Sequence, residues 1–126
     1  MYKTIYIIDD SPLERFLAET LLKNSGLAEK VISFGSAIET LQYITDPDNP
    51  RPGIILVDIQ MPLMNGFQFL DEYLKLPTCT TDSCKVAMFS SSIAAEDKAR
   101  IKKYPVVTAF IEKPLSEKKL RALFTK

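Results

Sequence analysis

Histidine and tryptophan are both absent from the 126 residues. Without histidine, the chain alone cannot form a Ser-His-Asp triad, a histidine-ligated zinc site or an imidazole acid/base pair. Cysteine is scarce. Cys79 and Cys84 share one polar stretch, Leu76-Pro77-Thr78-Cys79-Thr80-Thr81-Asp82-Ser83-Cys84. Two thiols with no further soft ligand make a poor zinc site, and without an export signal they are expected to be reduced. Charge of one sign is not in excess: sixteen Lys+Arg balance sixteen Asp+Glu, for a pI near 6.3. The overall basic excess of a nucleic-acid reader is missing. No run approaches the roughly 18 apolar residues of a membrane span. The start, Met1-Tyr2-Lys3-Thr4-Ile5, has no apolar signal region. The expectation is a cytoplasmic chain with no membrane insertion and no direct nucleic acid binding.

Hydrophobic residues make up 46% and charged residues 25%, enough to bury one core without staples. One domain over residues 1–126 is expected. Strand and helix signals alternate along it. Lys3-Thr4-Ile5-Tyr6-Ile7-Ile8 reads as a buried strand ended by Asp9-Asp10. Ser11-Pro12-Leu13-Glu14 opens a helix with a cap, a proline in the first turn and a capping box. Leu13, Phe16, Leu17 and Leu21 follow at helical spacing, and Gly26 is a stop. Val31–Phe34 reads as a second strand, and Ser36-Ala37-Ile38-Glu39 repeats the capping box. After the breaker-rich loop Asp46–Gly53, Ile54-Ile55-Leu56-Val57 runs straight into Asp58. Apolar at every position, that strand belongs in the centre of a parallel sheet. Phe67, Leu70 and Leu74 start a third helix. Lys85–Phe89 is a fourth strand ended by Ser90-Ser91-Ser92, and a weaker helix runs from about Ala94 to Lys103. Val106–Ile111 is a fifth strand ended by Glu112-Lys113-Pro114, and Ser116 can cap a last helix.

Five strands, each followed by a helix, argue for a doubly wound α/β fold: a parallel sheet with helices on both faces. In such folds ligands sit at the carboxyl ends of the strands. Asp9 and Asp10 after strand one, Asp58 after strand three, Ser90 after strand four and Lys113 after strand five are then delivered to one rim.

Those residues resemble the receiver domain of two-component response regulators. Asp9-Asp10 follows an apolar strand, and Asp58 lies in Val57-Asp58-Ile59-Gln60-Met61-Pro62-Leu63-Met64-Asn65-Gly66. A hydroxyl ends strand four, and Lys113-Pro114 follows strand five. The match runs from Lys3 to Phe124. It implies a flavodoxin-like, CheY-like sheet of order 2-1-3-4-5 and a phosphorelay function. Asp58 is implied as the phosphoacceptor, assisted by Lys113 and Ser90. Mg²⁺ is implied on Asp10, Asp58 and the Gln60 backbone carbonyl, with Asp9 acting largely through water. Oxygen donors of this kind suit a hard dication. The implied partners are a sensor histidine kinase or histidine phosphotransfer protein, which supplies the missing histidine, and a downstream target. That target would dock on the face of helix four, strand five and helix five. Ser90 and Phe110 would be the switch pair, and Pro114 would follow a cis peptide. Catalysis would be confined to the chain's own phosphoryl transfer and dephosphorylation, on which Gln60 and Ser92 would bear.

Taken singly, each feature has an ordinary alternative. Acids favour helix N-termini, lysines favour surfaces, Phe110 could be core, and Ser90 to Ser92 could be a loop in which Ser91 takes the role of Ser90. An acid directly after four apolar residues, as at Asp58, has the least room for one. Competing functions are a constitutive receiver-like interaction module, a flavin-binding protein and an aspartyl-nucleophile phosphatase. Asp9-Asp10 would repel a flavin phosphate, and a phosphatase nucleophile usually follows strand one. The chain is expected to be either a stand-alone receiver that works by docking or a domain excised from a longer protein, with its start favouring the first. Lys98, Arg100, Lys102, Lys103, Lys118, Lys119 and Arg121 make the second half locally basic, either a solvated face or a docking surface.

Overall fold

The computed structural model describes residues 2–77, 84–91 and 94–124. The strands are β1 (Tyr2–Ile8), β2 (Ala28–Phe34), β3 (Ile54–Asp58), β4 (Lys85–Ser90) and β5 (Val107–Glu112). The helices are α1 (Pro12–Ser25), α2 (Ala37–Ile44), α3 (Gly66–Tyr73), α4 (Ala95–Ile101) and α5 (Glu117–Phe124). All strands are parallel, in the order β2-β1-β3-β4-β5. The expected fold and strand order are both present.

Strand alternation divides the core in two. Tyr6, Ile8, Ile55, Val57, Val86 and Met88 face one way and pack with Phe67, Leu70 and Tyr73 of α3 and Ile44 of α2. Ile5, Ile7, Ile54, Leu56, Ala87 and Phe89 face the other way and pack with Ala18 and Leu22 of α1 and Leu120 of α5. All of β3 is buried, as a strand covered on both faces must be. The rim is therefore the one place where this strand can present a charge.

The helix entries follow local chemistry only in part: Ser36 caps α2 by accepting from the Glu39 N–H at 3.1 Å, whereas Ala94 gives α4 no side-chain cap. Ser11 caps α1 by accepting from the Glu14 N–H at 3.3 Å, and Gly26 ends it in the left-handed region at φ 72°. The Ser11 N–H, which a capping box would give to Glu14, donates instead to Asp9 Oδ1 at 3.0 Å. The reciprocal box lies at α3, between Asn65 and Gln68. The apolar stripe of α1 also departs from expectation. Leu13, Phe16 and Leu17 are exposed, because the inward face of α1 carries the small Ala18 and Leu22 and lies close on the sheet. β2 is longer than expected, starting at Ala28. Lys113-Pro114 is cis. Cys84 is a buried free thiol, while Cys79 and Ser92 lie outside the described residues.

Gly66 fixes the distance between α3 and the end of β3. Its N–H donates to the Ile59 carbonyl at 2.9 Å. A Cβ there would lie 2.8 Å from the Asp58 carbonyl oxygen, 2.8 Å from Met88 Cε and 3.0 Å from Ile59 Cα. Two of those neighbours are backbone and cannot swing aside. At an open helical position Gly→Ala stabilises by about 1 kcal/mol. Gly66→Ala is expected to destabilise by about 1–3 kcal/mol instead, as overpacking does. Urea unfolding checks the sign, and a stability at or above wild type would refute the close-packing argument.

Candidate functional site

Asp9, the residue after β1, is buried and held at four points. Its N–H donates to the Phe34 carbonyl at 3.1 Å. Its own carbonyl accepts from Arg15 Nη1 at 2.7 Å. Oδ1 takes the Ser11 N–H, and Oδ2 takes Lys113 Nζ at 3.1 Å. Asp58 ends β3 and is also buried. Its Oδ1 accepts from the Gln60 N–H at 3.1 Å, and its Oδ2 from Lys113 Nζ at 3.3 Å. Asp10 is exposed beside them. One carboxylate oxygen from each of Asp9, Asp10 and Asp58 lies within 4.8 Å of the others. The Lys113 N–H donates to the Ser90 carbonyl at 2.8 Å, tying the end of β5 to the end of β4.

Three carboxylates thus face one ammonium. Burial pushes Asp58 up from the ordinary 3.8 to about 6. The Lys113 charge works against this, and the Asp9 charge adds to it. Burial works to lower the pKa of Lys113, but the hydrogen bond to Asp9 and the charges of Asp58 and Asp9 outweigh it, so the pKa is raised and the ammonium stays charged. The negative excess and the all-oxygen donor set are what a hard divalent cation requires.

The structure brings together Asp9, Asp10, Asp58 and Lys113, residues up to 104 positions apart. Ser90 is the last residue of β4 and fully buried, whereas Ser91 is exposed. Phe110 lies in β5, in register with Met88. It is partly buried and packs against the α3-side core. Gln60 is exposed in the loop after β3. Arg15 was not singled out in the sequence. Its partner is a backbone carbonyl, so no charge pattern announces it. The glycine at Gly35 is the one trace it leaves, since a Cβ there would come within 3.2 Å of the guanidinium.

A family model described as "Response regulator receiver domain" matches residues 5–125. A response regulator receiver protein structure from Dyadobacter fermentans is 32% identical, with a TM-score of 0.86 over 97% of this chain and 94% of that one. A two-component response regulator from Cytophaga hutchinsonii is 25% identical, with a TM-score of 0.89 over 98% and 94%. PilG of Pseudomonas aeruginosa is 38% identical over 96 residues, which is 76% of this chain and 66% of PilG. A protein-glutamate methylesterase/protein-glutamine glutaminase of Agrobacterium fabrum is 35% identical over 72 residues, and the match spans 20% of its length. The chain belongs to the response regulator receiver domain family.

The raised pKa of Asp58 sets a sign for stability against pH. Between about pH 4 and pH 6 the unfolded chain has released this proton and the folded chain has kept it. Stability from this group is therefore fully present below about pH 4 and is lost as pH rises through about 6. Asp58→Asn cannot ionise. With divalent cations chelated, its stability relative to wild type is expected to grow by about 1–3 kcal/mol between pH 4 and pH 8. Thermal or urea unfolding across that range measures it. A flat or shrinking advantage would show that the Asp58 carboxylate is not strained by burial.

Proposed function

We propose that this receiver domain accepts a phosphoryl group on Asp58 in a Mg²⁺-dependent phosphorelay step and that the modification switches a protein-docking surface. The observation that carries the reading is the Lys113 ammonium bridging Asp9 and Asp58 at 3.1 and 3.3 Å beside the third carboxylate of Asp10. This is an anionic cradle with an ammonium fixed across two of its carboxylates, set at the open ends of a parallel sheet.

At neutral pH a carboxyl with a pKa near 6 is mostly ionised. That suits a nucleophile. An oxygen of Asp58 attacks the phosphorus of a phosphohistidine on a partner kinase or phosphotransfer protein. The P–N bond breaks, the imidazole keeps the electron pair and takes a proton, and an acyl phosphate remains on Asp58. The Lys113 ammonium meets charge developing on the phosphoryl oxygens. Asp10, Asp58 and the Gln60 carbonyl would hold Mg²⁺, with Asp9 acting largely through water. When bound, the ion supplies Lewis-acid neutralisation of the phosphoryl charge. Ser90 would offer its hydroxyl to the same oxygens. The backbone bond between Lys113 and Ser90 gives the rim a direct link to β5, on which Phe110 sits.

Intact-mass measurement with acetyl phosphate and Mg²⁺ tests the acceptor. One added phosphoryl group is expected on wild type and none on Asp58→Asn, while Lys113→Ala slows uptake by about 10²-fold. Equal uptake by wild type and Asp58→Asn would displace Asp58.

The switch has its own measurement. The Phe110 ring has no hydroxyl to satisfy, so turning it inward costs no hydrogen bond. NMR contacts of that ring are expected to differ between the Mg²⁺ form and a phosphoryl-mimic form of the protein. Identical ring surroundings in both would remove Phe110 from the switch.

A further inference from the structure

We infer that Lys119 is a positioning residue: its ammonium clamps the carbonyls of Glu112 and Pro114, the residues on either side of Lys113, and so holds the Lys113 side chain on Asp9 and Asp58. The inference rests on the role proposed above for Lys113.

Lys119 stands in the first turn of α5, where its N–H donates to the Ser116 hydroxyl at 3.2 Å. A cation at a helix N-terminus is electrostatically misplaced, since unpaired N–H groups there favour acids. Glu117 in the same turn follows the rule, and Lys118 and Lys119 both break it; what sets Lys119 apart is where its ammonium is bound. The compensation is specific. Helical side chains lean toward the N-terminus, and that lean carries Lys119 Nζ back over the preceding loop. There it donates to the Glu112 carbonyl at 2.7 Å and to the Pro114 carbonyl at 2.9 Å. These two carbonyls belong to the residues immediately before and after Lys113, the Glu112 carbonyl in the peptide bond to Lys113 and the Pro114 carbonyl one peptide bond further on. With the Lys113 N–H on the Ser90 carbonyl at 2.8 Å, the backbone on both sides of Lys113 is tied.

Charged donors make the shorter and stronger hydrogen bonds, but Lys119 is exposed, so its contribution to overall stability is small. Its effect falls on geometry. Lys113 Nζ reaches Asp9 and Asp58 at 3.1 and 3.3 Å, so a loop displaced by an ångström gives up at least one of them. Misplacement on that scale is costly at a reacting centre.

The test is a double-mutant cycle on the full chain. Lys119→Met keeps the alkyl stem and removes the donors. At saturating Mg²⁺ it is expected to slow phosphorylation by acetyl phosphate roughly three- to tenfold, with Mg²⁺ affinity and melting temperature unchanged. Lys119→Arg, which can donate to both carbonyls, restores the rate. In a Lys113→Ala background, Lys119→Met has no further effect, because the residue acts through Lys113. In metal-free protein with no phosphodonor, the side-chain ammonium NMR signal of Lys113 shifts or broadens in Lys119→Met. A wild-type rate, an undiminished loss in the Lys113→Ala background, a loss that tracks Mg²⁺ affinity or melting, or an unmoved Lys113 signal would each overturn the inference. If wild type takes up no phosphoryl group, the proposed function fails, and the NMR arm still decides the placement of Lys113.

Discussion

The structure turns on a charge that burial disfavours. Asp58 ends a strand every residue of which is buried, and its carboxylate pays desolvation that Lys113 offsets only in part. Two further acids crowd the same few ångströms. Such an arrangement persists only where the backbone gives the side chains no alternative. Here the parallel sheet supplies that constraint. β1 and β3 are neighbours in register, Ile8 opposite Val57, so the residues that follow them emerge side by side. The β4–β5 pairing, Ser90 opposite Glu112, brings Lys113 to the same rim.

Much of this was legible in the residues. The uninterrupted run Ile54–Val57 announced a central strand, and an acid at its end had few structural reasons to be there. The order Asp9-Asp10, Asp58, Ser90, Lys113 coincided with strand ends and therefore with one rim. Periodicity misled at α1. Leu13, Phe16 and Leu17 have helical spacing, yet they face solvent, because Ala18 and Leu22 define the inward face. Spacing reports that a helix exists, and packing against a particular sheet decides which side is buried. The capping box at Ser11 and Glu14 failed for a similar reason. The Ser11 N–H had a competing acceptor in Asp9, a contact that pattern matching on the helix alone does not consider.

What stayed hidden shares one property: the partner is backbone. Arg15 holds the Asp9 carbonyl, Gly66 leaves room for the Asp58 carbonyl, and Lys119 holds the Glu112 and Pro114 carbonyls. Every residue has a carbonyl, so no side-chain pattern marks which one is gripped. The traces are indirect: a glycine where a helix former would serve, or a cation where the helix dipole disfavours one. Such misfits between local preference and observed residue are where tertiary demands surface.

The two core layers also differ in what they can transmit. Phe89 belongs to the α1–α5 layer, and Lys113 Nζ lies 5.0 Å from the centre of its ring. Phe110 belongs to the α3 side, opposite Met88. The end of β4 therefore adjoins the acid cradle through one face and the Phe110 ring through the other. A two-state response needs an element whose alternatives both sites can bias. The ends of β4 and β5 are joined by the Lys113–Ser90 backbone bond. Lys113 is thus tied through backbone to the same strand pair that carries Phe110.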